Sequence, residues 1–132
     1  MTTTTTPLHI IESLYEALAE GDVGAVRALI DPAIEWTEAR GFPLSGTYRG
    51  PDAVIQGVIT KLAEEWEDFR TVPDEFVDGG DTVVALGRYS GTYKATGKLF
   101  EAPFAHVWRV RAGRAVSYTQ YTDTLLADRA LR

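Results

Sequence analysis

One carboxylate, Glu38, combines a residue type and a position that suit acid–base chemistry. It follows Ile34 and Trp36 at alternate positions, so a strand would turn all three side chains to one face. A carboxylate on an apolar face loses hydration, which raises its pKa and prepares it to transfer protons near pH 7. The pattern leaves an alternative equally open, an exposed salt bridge from Glu38 to Arg40 or Arg49.

Asp123 is the second carboxylate that stands apart from the charged helix faces and turns. It follows the last predicted strand, where it would serve either as an acid or base or as the N-cap of a tail helix over residues 124–131. The two histidines, His9 and His106, lie far apart in the sequence, and neither belongs to a metal-ligand spacing. We therefore expect no metal site and no cofactor.

Large aromatic side chains are numerous enough to line a cavity as well as to fill a core. The rings in question are Trp36, Tyr48, Trp66, Tyr89, Phe104, Trp108, Tyr118 and Tyr121. Core packing accounts for most of them. A curved sheet over helices that cannot fill it would, however, leave an apolar pocket lined by such residues.

The elements that position these residues follow from two periods of hydrophobicity. A period of about 3.6 predicts helices over residues 8–20, 23–30, 51–68 and 124–131, with a loop over residues 40–50. A period of two predicts strands over residues 33–38, 69–77, 82–93, 99–111 and 115–122. The last four strands are joined by turns too short for parallel crossovers, which predicts an antiparallel meander. The fold class is therefore α+β, with three helices packed on one face of a sheet.

The overall composition limits the partners of the protein. Its 132 residues include 13 Lys and Arg against 19 Asp and Glu, and the net charge of −6 disfavours binding to nucleic acid or to an anionic membrane. The absence of cysteine excludes disulfides and thiol nucleophiles. Residues 1–7 lack the features of a signal peptide. We expect them to be a disordered leader, followed by a single domain over residues 8–132, in a cytoplasmic protein.

Short segments spread along the chain carry a family resemblance. They are YEALAEGD (15–22), ALIDPAIEW (28–36), GTYRGPDAV (46–54), APFAHVW (102–108), GRAVS (113–117) and YTD (121–123). In this order they resemble the NTF2-like superfamily, and within it the SnoaL-like and ketosteroid-isomerase-like proteins. The resemblance implies a cone in which three N-terminal helices pack on a strongly curved antiparallel sheet and enclose one deep pocket. It also implies a homodimer through the outer face of the sheet.

The resemblance to ketosteroid isomerases covers only part of their active site. The base of those enzymes ends the first strand, and Glu38 falls there to within one residue. Their oxyanion hole, formed by a protonated aspartate and a tyrosine, is matched by Ala105 and Leu14, with Tyr15 beside the latter. Epoxide hydrolases of the superfamily carry an aspartate where Gln120 stands. We therefore expect neither steroid isomerisation nor epoxide hydrolysis.

Two further positions follow from the resemblance. SnoaL-like cyclases use an acid–base aspartate on the last strand, a role that Asp123 could take only if the strand register differed by three. His106 matches a histidine common in these sequences, which makes it a catalytic candidate. Strand alternation instead places His106 on the outer face with Phe104 and Trp108, at the expected dimer interface.

The residues and the resemblance together predict a cofactor-independent acid–base enzyme of isomerase, cyclase or dehydratase type. Its substrate would be a small apolar carbonyl or polyketide-like compound, and its catalytic candidates are Glu38, Asp123 and His106. The predicted substrate-binding residues are Tyr15, Trp36, Tyr48, Trp66, Tyr89, Tyr118 and Gln120. Among these, Tyr15, Gln120 or Tyr118 would donate a hydrogen bond to the developing enolate. The alternative is a non-catalytic small-molecule binding or dimerisation module, which the missing oxyanion aspartate and Gln120 favour.

Overall fold

The computed structural model describes residues 5–132 and has the predicted α+β architecture. Its helices are α1 (Pro7–Glu20), α2 (Val23–Leu29), α3 (Pro51–Val54), α4 (Thr60–Glu65) and α5 (Thr124–Leu131), and a π-helical turn (Ile55–Ile59) joins α3 to α4. Its strands are β1 (Ile30–Glu38), β2 (Gly46–Arg49), β3 (Trp66–Gly79), β4 (Thr82–Tyr93), β5 (Lys98–Arg111) and β6 (Arg114–Thr122). Most of the expected leader lies outside the described residues, and Pro7 already belongs to α1.

Helix α1 is bounded by sequence signals at both ends. The hydroxyl of Thr6 accepts a hydrogen bond from the backbone N–H of His9 at 3.2 Å, and Pro7 occupies the first helical position. Gly21 ends the helix with a φ of 68°, a left-handed conformation that glycine adopts without strain. The apolar face between these ends packs against the sheet and buries Tyr15 in the core.

The six strands form one curved, open sheet in the order β2-β1-β6-β5-β4-β3. The meander β3-β4-β5-β6 is antiparallel, as the short turns predict. The sheet as a whole is mixed, because β1 pairs with β6 in parallel. The expectation of a wholly antiparallel sheet is wrong for this pair, since β1 and β6 are far apart in the chain and no hairpin turn fixes their relative direction.

Strand β1 begins at Ile30, three residues before the predicted strand 33–38, and two larger differences from the sequence patterns follow it. Strand β2 lies inside the predicted loop 40–50, where its four residues pair with β1 and are too few to show a period. The third predicted helix ends at Glu65, and the chain becomes extended at Trp66 with φ −119° and ψ 147°. This earlier end lengthens β3 and brings Trp66 to the buried face of the sheet.

Strand β3 is bent by two bulges that face glycines on β4. The register shifts between Glu67 and Arg70, and again between Pro73 and Glu75. A Cβ atom on Gly87 would lie only 2.2 Å from the carbonyl oxygen of Val72, so the strands approach there only because the residue is glycine. Bulges increase the local twist of a strand, and these two curl the edge of the sheet around the cavity described below. Among the described residues, no helix is long and apolar enough to cross a membrane.

Candidate active site

A cavity of about 700 Å³ lies between the concave face of the sheet, α1, and the segment formed by the π-helical turn and α4. Its wall contains most of the predicted site residues, which are Tyr15, Trp36, Glu38, Trp66, Tyr89, His106, Tyr118 and Gln120. A second depression of about 710 Å³ lies between β5 and α5, and none of the predicted site residues lines it. The chemistry expected from the sequence therefore converges on the cavity under the sheet.

Glu38 ends β1 with its carboxylate in the cavity wall, and only 3% of the residue is exposed. Its Oε1 accepts a hydrogen bond from Nε1 of Trp36 at 2.9 Å, while its buried Oε2 has no hydrogen-bond partner. Burial raises the pKa of Glu38 from 4.5 to about 7, and the Trp36 hydrogen bond opposes this rise in part. Arg49 pairs with Glu35 instead, at 3.0 Å, so the salt-bridge alternative for Glu38 is not formed.

His106 also lies in the cavity wall, with 2% of its surface exposed. The expectation that it faces outwards at a dimer interface is wrong. It does share a face of β5 with Phe104 and Trp108, as alternation predicts, but that face is the concave one. Alternation tells which residues share a face, whereas the packing of the helices decides which face is covered. The ring of Phe104 stacks on the imidazole with centroids 3.9 Å apart.

A continuous hydrogen-bond network crosses the cavity wall. The Tyr15 hydroxyl lies 2.5 Å from Nδ1 of His106, and the Tyr89 hydroxyl lies 2.5 Å from Nε2 of the same ring. Nε1 of Trp108 donates to the Tyr15 oxygen at 2.9 Å, and Nε2 of Gln120 donates to the Tyr89 oxygen at 2.8 Å. These contacts join α1, β4, β5 and β6 through side chains that the sequence places far apart.

Burial sets the charge states of this network. It lowers the pKa of His106 well below its ordinary range and raises the pKa values of Tyr15, Tyr89 and Tyr118, so near pH 7 the imidazole is neutral and the phenols are protonated. Glu38 is then the group in the cavity wall whose proton equilibrium lies near neutral pH. Across residues 5–132, no three His, Asp or Glu side chains converge on a point that could hold a metal ion.

Asp123 and Tyr48 do not line the cavity. Asp123 is exposed, and its Oδ1 accepts a hydrogen bond from the backbone N–H of Leu126 at 3.1 Å, so it caps α5. The last strand has no shift that would bring it inwards, because Gln120 pairs directly with His106. The hydroxyl of Tyr48 donates to the carbonyl of Leu44 at 2.9 Å. Strand β2 holds the Tyr48 ring at the edge of the sheet, away from the cavity.

The comparisons with known proteins agree with this geometry. Residues 11–118 match the family model described as the SnoaL-like domain. The chain belongs to the SnoaL-like family. No protein with a curated description matches the sequence.

Solved structures of an NTF2-like protein and of two proteins less similar in sequence superpose over nearly the whole chain. An NTF2-like protein from Burkholderia thailandensis E264 is 49% identical, with a TM-score of 0.95 over 98% of this chain and 99% of that chain. IdmH of Streptomyces antibioticus, described as a candidate polyketide cyclase, is 25% identical, with a TM-score of 0.78 over 96% and 99% of the two chains. TerC, co-crystallised with polyporic acid, is 23% identical, with a TM-score of 0.86 over 96% and 98%.

The cavity of this SnoaL-like protein also contains residues that the sequence patterns do not single out. Phe42 belongs to the predicted loop, yet it is 3% exposed and lines the cavity. Phe69 is turned inwards by the first bulge of β3, where it packs on Trp66 and Tyr89. Arg70 lies at the rim of the cavity, where it forms an ion pair with the exposed carboxylate of Asp68 on the same strand. An aromatic residue in a Gly- and Pro-rich loop is the one local signal that could have indicated Phe42.

Proposed function

We propose that this SnoaL-like protein is a cofactor-independent acid–base enzyme that acts on a small apolar carbonyl compound in the cavity. Glu38 would take a proton from the carbon next to the carbonyl group, in an isomerase-, cyclase- or dehydratase-type reaction. The observation that carries the proposal is the buried, unpartnered Oε2 of Glu38 in the wall of a cavity of about 700 Å³. A pKa of about 7 matches the base to a reaction near neutral pH.

A carbonyl oxygen that gains negative charge during proton removal needs hydrogen-bond donors. Tyr15 and Tyr118 line the cavity with protonated hydroxyls, which supports their predicted role as donors to an enolate. Gln120 is less free, because its Oε1 accepts from the backbone N–H of Ala39 at 2.9 Å and its Nε2 donates to Tyr89. It would therefore act by positioning Tyr89.

The substrate class follows from the cavity wall. Aromatic rings from five strands line the cavity, which favours a flat, apolar ligand such as a polyketide-derived ring. Two structural relatives agree with this class, one described as a candidate polyketide cyclase and one co-crystallised with polyporic acid. Both are less similar in sequence than the Burkholderia protein, so they support the ligand class and not a particular reaction.

The alternative is a non-catalytic binding module with the same cavity. In the sequence, the lack of an aspartate for the oxyanion hole favours the binding module, but the structure weakens this argument. Ala105, which stands at the aspartate position in the ungapped comparison, is not in the cavity wall, and its buried neighbours Phe104 and His106 face inwards in its place. A proton-transfer measurement separates the two functions, because a binding module would take up a ketone without exchanging its protons.

Exchange of the C1 protons of 2-tetralone for deuterium, followed by NMR, tests the proposal. We expect the wild-type protein to accelerate exchange and Glu38→Gln to reduce that acceleration by at least about 100-fold, since a general base contributes roughly 10²- to 10⁴-fold. Glu35→Gln is the matched control, because Glu35 lies on the exposed side of the same strand and pairs with Arg49. Equal rates in wild type and Glu38→Gln, or tetralone binding without exchange, would leave the binding module as the function.

A further inference from the structure

The two tyrosines that flank His106 each accept one hydrogen bond whose direction is fixed. The indole N–H of Trp108 can only donate, so the Tyr15 oxygen accepts from it. The amide of Gln120 is oriented by its Oε1, which accepts from the backbone N–H of Ala39, so its Nε2 must donate to the Tyr89 oxygen. Both phenolic oxygens are thus held as acceptors, and both hydroxyl protons remain to be placed.

His106 lies between the two hydroxyls and brings one more proton. It is buried, and among the described residues its ring nitrogens contact only the hydroxyls of Tyr15 and Tyr89, so it is held as the neutral imidazole with a single N–H. The two phenols and the imidazole therefore carry three protons. The two contacts between them use two of these protons, one for each hydrogen bond. One proton is left over.

No other group in the described part of the network removes this surplus. Tyr118 also lines the cavity, but its hydroxyl brings a proton of its own, so accepting one from Tyr89 would leave the same surplus. Oε2 of Glu38, an acceptor in the same cavity wall, receives no hydrogen bond from the network. The remaining proton therefore needs an acceptor from outside the described residues, and an oxygen atom of the ligand can supply it in place of water.

We propose that Tyr15 and Tyr89 are alternative donors to one acceptor oxygen of the ligand, and that the tautomer of His106 selects between them. With the proton on Nε2, Tyr15 donates to Nδ1, the ring donates to Tyr89, and the Tyr89 proton is free for the ligand. With the proton on Nδ1, the order reverses and the Tyr15 proton is free. Trp108 and Gln120 are positioning residues that hold the two oxygens in place.

This inference rests on the proposed function and narrows its substrate class. Tyr15 and Tyr89 together offer one free proton at a time, so this pair fits a ligand that presents a single carbonyl or enolate oxygen and no donor at that point. A hydroxyl group in the same place would compete for the tyrosine oxygens, which already accept from Trp108 and Gln120. The same wall serves a ketone in the ground state and the enolate formed from it.

Binding of 2-tetralone, compared with the hydrocarbon tetralin, tests the redundancy of the two donors. We expect Tyr15→Phe and Tyr89→Phe each to keep the preference for the ketone to within about threefold. The double variant should lose it by about tenfold or more, the effect of one hydrogen bond of about 1.4 kcal/mol. Tetralin affinity is the internal control, because loss of the cavity would weaken both ligands equally. Loss of the preference in one single variant would show one fixed donor and overturn the proposal.

The ring nitrogens of His106 give a second readout that does not need the double variant to fold. With tetralone bound, ¹⁵N NMR should show the Nε2–H tautomer in Tyr15→Phe, because Tyr89 is then the donor to the ligand. It should show the Nδ1–H tautomer in Tyr89→Phe. The other histidine, His9, is exposed and serves as an internal reference. The same tautomer in both variants, or a wild-type protein without preference for the ketone, would overturn the proposal.

Glu38→Gln separates this proposal from the proposed function. That variant should lose proton exchange but keep the preference for tetralone over tetralin, since Glu38 makes no hydrogen bond to the His106 network. Suppose that Glu38→Gln exchanges protons as fast as wild type, while the His106 tautomers still differ between Tyr15→Phe and Tyr89→Phe. The proposed enzyme function would then be wrong, and the proposal of alternative donors would be kept. If exchange depends on Glu38 but the His106 tautomers are the same in both variants, only the proposal of alternative donors is wrong.

Discussion

The raised pKa of Glu38 follows from burial with few hydrogen bonds to its carboxylate. Two carboxylate oxygens in a buried site would ordinarily accept several hydrogen bonds, yet Glu38 receives one, from the indole of Trp36 two residues earlier on the same strand face. The strand thus supplies both the carboxylate and the group that moderates its pKa. Substitution of Trp36 can therefore remove this hydrogen bond while keeping the Glu38 carboxylate.

Trp36→Phe should raise the pKa of Glu38 above about 7, because it removes the hydrogen bond that stabilises the charged carboxylate. The rise should be roughly one to two pKa units, since a hydrogen bond to a charged group contributes about 1.5–3 kcal/mol and one unit corresponds to about 1.4 kcal/mol. A ¹³C NMR titration of the side-chain carboxyls measures it. Trp66→Phe is the matched control, a buried cavity tryptophan that packs on Phe69 and Phe100 instead. Equal shifts in both variants would contradict the assignment.

At the scale of elements, the site depends on irregularities in otherwise regular strands and helices. The first bulge of β3 turns Phe69 into the cavity, and Gly91 opposite leaves room for it, since a Cβ there would lie 3.2 Å from the Phe69 ring. The π-helical turn between α3 and α4 presents Val58 and Ile59 to the same cavity. π-Turns are frequent at functional sites. The bulge and the π-helical turn therefore both shape the wall of the cavity.

A substitution at the start of helix α5 tests whether Asp123 is an N-cap or a catalytic group. Asp123→Ala should lower the free energy of unfolding by about 1 kcal/mol, the usual contribution of an N-cap, and should leave tetralone exchange unchanged. Urea denaturation and the exchange assay measure the two quantities. Asp22→Ala is the matched variant, because Asp22 caps α2 through an equivalent bond to the N–H of Ala25 at 3.0 Å. A loss of exchange in Asp123→Ala but not in Asp22→Ala would return Asp123 to the mechanism.

At the scale of the whole molecule, the buried site couples folding to pH. The pKa of Glu38 is about 7 in the folded protein and about 4.5 when exposed, so the folded state binds this proton more tightly. Its contribution to stability is complete below pH 4.5 and is lost as the pH rises through 7. His106 acts in the opposite direction, because burial lowers its pKa and its contribution is lost as the pH falls. The two dependences offset each other in the wild-type protein.

Glu38→Gln should separate these two contributions, because glutamine stays neutral at every pH. The variant should match wild type near pH 4 and exceed it above pH 7 by roughly 3 kcal/mol, the value of a shift of about 2.5 pKa units. Urea denaturation between pH 4 and pH 8 measures the difference. Glu35→Gln, at an exposed position of the same strand, is the matched control. A pH-independent difference for Glu38→Gln would show that the folded-state pKa is ordinary.

Local patterns in the sequence were sufficient for most of the elements and for placing Glu38 on a buried strand face. Strand β4 and helix α5 begin and end where the hydrophobic periods and turn residues place them. The period of two also put Trp36 and Glu38 on one face, and the structure brings them into contact. These predictions hold because neighbours along a strand or helix are positioned by the backbone geometry of that one element.

Only the tertiary structure decided which side of each strand became the cavity. Alternation grouped Phe104, His106 and Trp108 correctly but could not tell the concave face from the outer one, since the helices that cover a face come from distant parts of the chain. The parallel pairing of β1 with β6 is another contact of this kind. The Tyr15–His106–Tyr89 network joins residues up to 91 positions apart. Its proton balance is a property of the folded assembly, because none of its hydrogen bonds lies within a single element.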